Sequence, residues 1–148
     1  MEMIRKCFLI FFSVFIAMTV FGCSTGGTGK TLNGNKGNKI IPTPGKNQAL
    51  LLVTITSPVG LNNLSVMVGE KTVGTILTTE AIAVHLKPGD YTIRSSYQAC
   101  FPVEVTLRRG ESLLVHAENT EKGIYFKSVP YGKIKTILDD RQIIEVMY

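Results

Sequence analysis

Short apolar segments separated by turn residues fill the chain from residue 49 onwards, and this spacing limits the fold more than any other feature of the sequence. The run ALLLVTITS at 49–57 is almost continuously apolar and β-branched, as expected of a central strand buried on both faces. VEVTL at 103–107 alternates between apolar and polar residues, as expected of a strand with one face in the core. The pattern predicts an all-β fold, an antiparallel β-sandwich of about seven to eight strands.

Turn residues divide this part of the chain into strands. Gly69, Glu70 and Lys71 predict a hairpin turn, and KPGD at 87–90 predicts a type II turn with a positive φ at Gly89. The strands are predicted at 49–57, 64–68, 72–77, 81–86, 91–97, 103–107, 112–118 and 124–129.

The end of the chain allows two interpretations. The segment 131–140 has apolar residues at helical spacing, and it predicts a short C-terminal helix followed by a strand at 142–147. The alternative is a hairpin that turns at Asp139 and Asp140. We favour the helix.

The segment AIAVHLKPGDYTIRSS carries a resemblance to a known class of domain. Leu86, Pro88, Gly89 and Tyr91 match an L-x-P-G-x-Y pattern that is similar to PEGA-like and related transthyretin-like sandwiches. The resemblance covers 63–97 and extends in overall layout to small bacterial lipoproteins that join such a sandwich to a lipid anchor and a short C-terminal helix. It implies a fold and a cell-envelope setting but no reaction, because sandwich folds host many functions.

The N-terminus has the organisation of a secretory signal. Arg5 and Lys6 precede fifteen nearly uninterrupted apolar residues at 7–21. A helix that spans a bilayer needs about 20 apolar residues, so this segment is short for a permanent anchor. We therefore expect residues 1–22 to be a signal peptide.

The end of this segment resembles the lipobox of bacterial lipoproteins, with Val20, Phe21 and Gly22 before Cys23. In that family the cysteine thiol receives a diacylglyceryl group, the chain is cleaved before the cysteine, and the lipidated cysteine becomes the N-terminus. The resemblance implies lipidation of Cys23, anchoring by two or more acyl chains and location in the bacterial cell envelope. Ser24, which is not an aspartate, favours the outer membrane if the host has one. An ordinary secretory signal with an incidental cysteine is the alternative.

The same region contains the end of a phosphate-binding motif, Gly29, Lys30 and Thr31. The P-loop pattern needs a glycine where this chain has Ser24, and a helix must open directly after the motif. The residues that follow are rich in Gly, Asn, Lys and Pro and lack helical periodicity. We therefore predict no nucleotide binding.

Composition divides the remainder into a linker at 23–47 and one β-sandwich domain at 48–148. The domain carries ten basic and ten acidic residues, so the net charge of +5 belongs to the signal and the linker. A neutral domain without a basic face predicts no binding of nucleic acid. The flexible Gly/Asn/Lys linker has no acidic residue, and its lysines favour contact with anionic headgroups or simple solvation; they are Lys30, Lys36, Lys39 and Lys46.

The domain offers few residues for catalysis. Cys100 is flanked by Ala99 and Phe101 and is expected to be a small buried packing residue. His85 and His116 are expected on the solvent faces of their strands, where they would form a two-histidine patch if the strands were neighbours. We predict no enzyme activity, no cofactor and no metal site.

Two functions remain. The favoured one is a non-catalytic interaction or structural module that docks on an envelope protein through a strand edge or through the turn at Gly69, Glu70 and Lys71. The alternative is a domain that binds cell-wall glycan or peptide. That alternative needs exposed aromatic rings, and the candidates are Tyr97, Phe101, Tyr125 and Tyr131.

Overall fold

Two β-sheets pack face to face in the computed structural model, which describes residues 30–32, 41–57 and 60–148. For 30–32 and for residue 131 the description covers the backbone alone. The larger sheet consists, in spatial order, of β1 (Lys30–Leu32), β11 (Gln142–Met147), β5 (Glu80–Leu86), β2 (Ala49–Thr56), β9 (Ser112–Thr120), β10 (Gly123–Val129) and β7 (Cys100–Phe101). The smaller sheet consists of β4 (Lys71–Leu77), β3 (Asn63–Val68), β6 (Gly89–Arg94) and β8 (Val103–Leu107).

The prediction of an all-β sandwich with a short C-terminal helix is confirmed. A 3-10 turn at Tyr131–Lys133 leads into helix α1 (Ile134–Leu138), and β11 follows it as the returning strand. The smaller sheet is antiparallel throughout. The larger sheet is mixed, because β2 runs parallel to β9, β5 to β11 and β7 to β10. An alternating pattern reports which face of a strand is buried but not which strand lies beside it, so these parallel pairs were not predicted.

The type II turn predicted at 87–90 is wrong. Gly89 has no positive φ; it is already the first residue of β6 and pairs with Leu107 of β8. The hydroxyl of Tyr91 donates a hydrogen bond to the carbonyl of Lys87 over 2.8 Å, which connects β6 to the residue after β5.

Strand β2 is buried on both faces, as its apolar run predicted. Leu51, Val53 and Ile55 point into the core between the two sheets, whereas Leu50 and Leu52 belong to a second core on the outer face of the larger sheet. Helix α1 contributes Ile134 and Leu138 to this second core. The sheet contributes Ala81, Ala83, Leu114 and Ile143. Full burial of each such leucine or isoleucine contributes about 1.5–3 kcal/mol. The expectation that one face of β5 is solvated is therefore wrong, because α1 lies over it.

Arg141 fixes the end of α1 to the sheet. Its Nη1 donates to the carbonyl of Ile55 at 2.9 Å and to that of Thr78 at 2.6 Å, and its Nε donates to the carbonyl of Ile137 at 3.2 Å. These carbonyls lie at the end of β2, in the β4–β5 turn and in the last turn of α1. One guanidinium thus donates hydrogen bonds to backbone carbonyls of three elements, at positions where the regular strand or helix pairing ends.

The fold begins before residue 48. Lys30–Leu32 pairs antiparallel with β11, Pro42 is buried, and Ile41 packs against the second core. The predicted signal peptide and residues 23–29 and 33–40 of the predicted linker, Cys23 included, lie outside the described residues. Among the described residues, no helix is long and apolar enough to cross a bilayer.

Candidate binding surface

Two aromatic rings stand side by side on the outer face of the larger sheet. Phe101 of β7 is the register partner of Tyr125 of β10, so their side chains leave the same face. Their ring centroids are 4.4 Å apart and their planes differ by 5°. Ile124 and Phe126 point into the core, which places Tyr125 on the opposite, outer face. Because β7 is the edge strand, no described strand flanks the second face of the Phe101 ring, and Phe101 is 47% exposed.

A glycine allows this ring to lie close to the sheet. Gly123 has a φ of 130°, a conformation that side chains with a Cβ rarely adopt. A Cβ at this position would lie 2.6 Å from the carbonyl oxygen of Ala99 and 3.1 Å from Cε2 of Phe101. The backbone N–H of Ile124 donates to the same Ala99 carbonyl over 2.8 Å. Gly123 therefore permits the close approach that holds β7 and its aromatic ring against β10.

A shallow cleft of about 260 Å³ adjoins the stacked rings at Ala99 and Gly123. It is lined by Leu61, Tyr97, Ala99 and the β9–β10 turn at 119–124. Tyr97 is 42% exposed. We name Tyr97, Phe101, Tyr125 and this cleft together the aromatic edge.

The loop that carries Tyr97 is held by short-range hydrogen bonds. The backbone N–H of Ser95 donates to Sγ of Cys100 over 3.2 Å, and that of Tyr97 donates to Oγ of Ser95 over 3.4 Å. Ser95 is buried, and Cys100 is half-buried with a free thiol that packs against the main core. Cys100 therefore packs against the core as predicted, although it is half-buried and not buried, and it also accepts a hydrogen bond within the loop.

Charges beside the aromatic edge balance. Lys127 donates to Glu118 over 2.9 Å, and Glu118 is the register partner of Tyr125. The hydrogen bond from Lys127, with its positive charge, holds the pKa of Glu118 below its ordinary value. Glu121 and Lys122 form the exposed β9–β10 turn. Glu118 and Lys127 therefore lie beside Tyr125. Glu121 and Lys122 line the cleft, so these four side chains carry two charges of each sign.

His116 lies between two threonines of β2. Its Nδ1 is 2.9 Å from Oγ1 of Thr54 and its Nε2 is 3.0 Å from Oγ1 of Thr56. A neutral ring donates from one nitrogen and accepts at the other, which two hydroxyls can satisfy. Burial lowers the pKa of His116, and the positive charges of Arg141 and Lys127 lower it further. The expectation that His116 is solvated is therefore only partly right, because the ring is half-buried.

His85 is buried, so the expectation that it is solvated is wrong. It is 5% exposed, and its Nε2 lies 2.6 Å from Oε1 of Glu145 on the neighbouring strand β11. The two histidines form no shared patch, because β2 lies between β5 and β9. Within the described ranges, no group of three or more His, Cys, Asp or Glu side chains is placed to hold a metal ion.

The predicted turn at 69–71 is tied to the rest of the molecule. The N–H of Gly69 donates to the carbonyl of Thr92 over 2.8 Å, and Nε of Arg94 donates to the carbonyl of Gly69 over 3.1 Å. Nζ of Lys71 lies 4.4 Å from the ring centre of Tyr148. Glu70 remains exposed.

The structure thus brings three of the four predicted aromatic residues, Tyr97, Phe101 and Tyr125, to one end of the larger sheet. The side chain of Tyr131 lies outside the described part. The sequence did not indicate that Gly123 shapes this surface, because neither its positive φ nor its closeness to the Ala99 carbonyl can be predicted from the neighbouring residues. It also did not indicate the pairing of β7 with β10, because a two-residue strand has no recognisable alternation.

A comparison with protein-family models found no match, and a comparison with curated proteins found no significant similarity. The resemblances to the lipobox and to PEGA-like sandwiches therefore stay predictions.

Proposed function

We propose that this protein is a lipid-anchored lipoprotein of the bacterial envelope whose β-sandwich domain is a non-catalytic interaction module. The anchor is the acylated Cys23 after a signal peptide at 1–22, and the outer membrane is its location where the host has one. The apolar segment and the Gly22–Cys23 junction support the anchor.

The aromatic edge is the main observation that supports an interaction module. Phe101 and Tyr97 expose nearly half of their surface at one end of the sheet, and the close approach of Gly123 to the Ala99 carbonyl holds Phe101 in place. Exposed aromatic residues on a rigid support are typical of contact sites, because they supply a large contact area at a small loss of conformational entropy. The aromatic edge is a better contact surface than the 69–71 turn, whose backbone is bonded to β6.

The environment of the reactive side chains supports a non-catalytic role. His85 is bonded to Glu145, His116 lies between two threonines, and Cys100 accepts a backbone hydrogen bond. Each of these groups therefore has a structural contact that accounts for its position.

Binding of cell-wall glycan or peptide is the second candidate function. It is favoured by one observation, the half-exposed Phe101 ring at the sheet edge, with Ala99 and Gly123 between it and a cleft that contains Tyr97. Both candidates place the partner at the aromatic edge, and both require anchoring near the wall.

The test is crosslinking in cells of a diderm bacterium that produces the tagged full-length protein, with mass spectrometry of the N-terminal peptide from the same sample. We expect a diacylated N-terminus at Cys23, fractionation with the outer membrane, and a reproducible crosslinked partner that is lost in the Cys23→Ser variant. An N-terminus without lipid would overturn the anchor. A lipidated protein that crosslinks to no envelope component would overturn the interaction module.

A further inference from the structure

We infer that the aromatic edge binds an uncharged saccharide chain, with one sugar ring against the open face of Phe101 and the chain continuing towards the cleft beside Tyr97. This inference rests on the second candidate function, binding of cell-wall material at the aromatic edge, and it names the chemical class of the ligand.

The arrangement of the rings is the first argument. Phe101 and Tyr125 are parallel and in contact, so each restrains the other, and the free surface of the pair is the outer face of Phe101. A flat apolar ring face at a sheet edge is complementary to the C–H face of a pyranose. The hydroxyl of Tyr97, on an exposed side chain close by, adds a hydrogen-bonding group of the kind that sugar hydroxyls need.

Charge is the second argument. Glu118 and Lys127 neutralise each other, and Glu121 and Lys122 add one charge of each sign. A ligand with a strong net charge finds no net counter-charge here, which disfavours nucleic acids and polyanionic glycans. A neutral ligand rich in hydroxyls finds carboxylates that accept and ammonium groups that donate.

Size and rigidity are the third argument. Drug-sized ligands occupy pockets of about 300–1,000 Å³, so a cleft of about 260 Å³ suits one unit of a longer chain. The Ala99 carbonyl accepts a hydrogen bond from the N–H of Ile124 and lies close to Gly123. These contacts hold the loop in place without a ligand. Such preorganisation reduces the entropic cost of binding.

A protein strand that extends the sheet is the competing occupant, and the edge disfavours it. β7 has only two residues, Cys100 and Phe101, and the next residue, Pro102, has no N–H to offer. A partner strand needs a longer row of free backbone groups. Preferential binding of an extended peptide would contradict the saccharide assignment.

The experiment uses the full-length protein in a polyoxyethylene detergent, because sugar-based detergents would compete for the site. The probe is chitotetraose, an uncharged oligomer of N-acetylglucosamine, and binding is followed by saturation-transfer NMR and by tyrosine fluorescence. Polygalacturonate and an uncharged extended peptide serve as comparison ligands. Phe101→Ala removes the stacking face and Phe101→Tyr keeps it. Tyr148→Ala is the matched control, since Tyr148 is 48% exposed but lies over Lys71.

We expect saturable binding of chitotetraose that Phe101→Ala weakens about tenfold, because the variant lacks the ring face against which the sugar packs. Phe101→Tyr and Tyr148→Ala should leave the affinity within about twofold. Near-UV circular dichroism checks that each variant is folded. The saccharide assignment is overturned by absent binding, by equal binding to a folded Phe101→Ala variant, or by a preference for the peptide or the polyanion. None of these results affects the lipid on Cys23 or the crosslinked partner, so the failure of this inference and that of the proposed function remain distinguishable.

Discussion

Nε2 of His85 lies 2.6 Å from Oε1 of Glu145, and this contact joins two neighbouring parallel strands at the second core. His85 is buried, and no described residue accepts or donates at its Nδ1. The contact with Glu145 is therefore the one hydrogen bond of the ring within the described part of the chain. A buried polar side chain is costly when its partner is removed.

We expect Glu145→Ala to lower the free energy of unfolding by about 1–3 kcal/mol, because it leaves the His85 ring without that bond. Glu145→Gln keeps an acceptor oxygen and should lose less. Glu104→Ala, on the exposed face of β8, is the matched control. Urea denaturation measures all three, and equal stabilities for Glu145→Ala and Glu104→Ala would contradict the prediction.

We expect the stability of the fold to decrease even when Arg141 is replaced by lysine, which keeps the positive charge. The arginine guanidinium reaches the carbonyls of Ile55 and Thr78 through Nη1 and that of Ile137 through Nε, whereas a lysine has one nitrogen on a shorter side chain in place of these two donor atoms. Hydrogen bonds to charged groups contribute about 1.5–3 kcal/mol each, so Arg141→Lys should destabilise the fold by about 2 kcal/mol or more. Arg109→Lys, in an exposed turn, should change the thermal midpoint little. A similar midpoint for both variants would show that the three-element contact is unimportant.

The stability of the protein should fall between neutral and mildly acidic pH because of His116. Burial, then the charges of Arg141 and Lys127, lower its pKa in the folded state, so the unfolded chain binds more protons in the window between the folded pKa and about 6.5. The His116 contribution is therefore complete above about pH 6.5 and decreases as the pH falls through the folded pKa. Denaturation curves at several pH values from 8 to 5 measure this slope.

The control for this prediction is His116→Gln, which keeps hydrogen-bonding groups near Thr54 and Thr56 but does not titrate. The difference in unfolding free energy between the wild type and this variant should shrink towards acidic pH. The lowered pKa of Glu118 acts in a separate window, at and below its ordinary value near 4.5. A difference that stays constant from pH 8 to 5 would argue against a lowered pKa at His116.

Gly123→Ala should damage the aromatic edge and the stability together. The substitution forces a residue with a Cβ to a φ of 130° and brings that atom within 2.6 Å of the Ala99 carbonyl, so we expect a loss of about 1–3 kcal/mol or more. Displacement of Phe101 should also change the near-UV circular dichroism of Tyr125. Gly132→Ala is the control, since its Cβ meets no atom within 4 Å. Equal tolerance of both substitutions would contradict the proposed role of Gly123.

The strands could be predicted well from the sequence, because the chain marks them locally. The run at 49–57 has no polar residue in its first half, and the structure buries it in two cores at once. The prediction failed on β5. Ala81 and Ala83 are small enough to suit either a solvent face or a helix that packs closely, and only the position of α1 decides between them.

The candidate surface was predictable in part. Tyr97 and Phe101 were predicted among the candidate exposed aromatic residues, and both are exposed. Their proximity to Tyr125 follows from the two-residue pairing of β7 with β10, which joins segments more than twenty residues apart in the chain. No local pattern specifies such a contact, and the same holds for the distance between His85 and Glu145.

The pairing of β1 with β11 has a mechanical consequence for an anchored protein. Three residue pairs hold β1 at the edge of the sheet, whereas β2 is paired on both sides, with β5 and β9. If Cys23 is fixed in a membrane as proposed, tension on the domain reaches β1 first. Peeling this short strand would relieve the force while the central strand, both cores and the aromatic edge keep their positions.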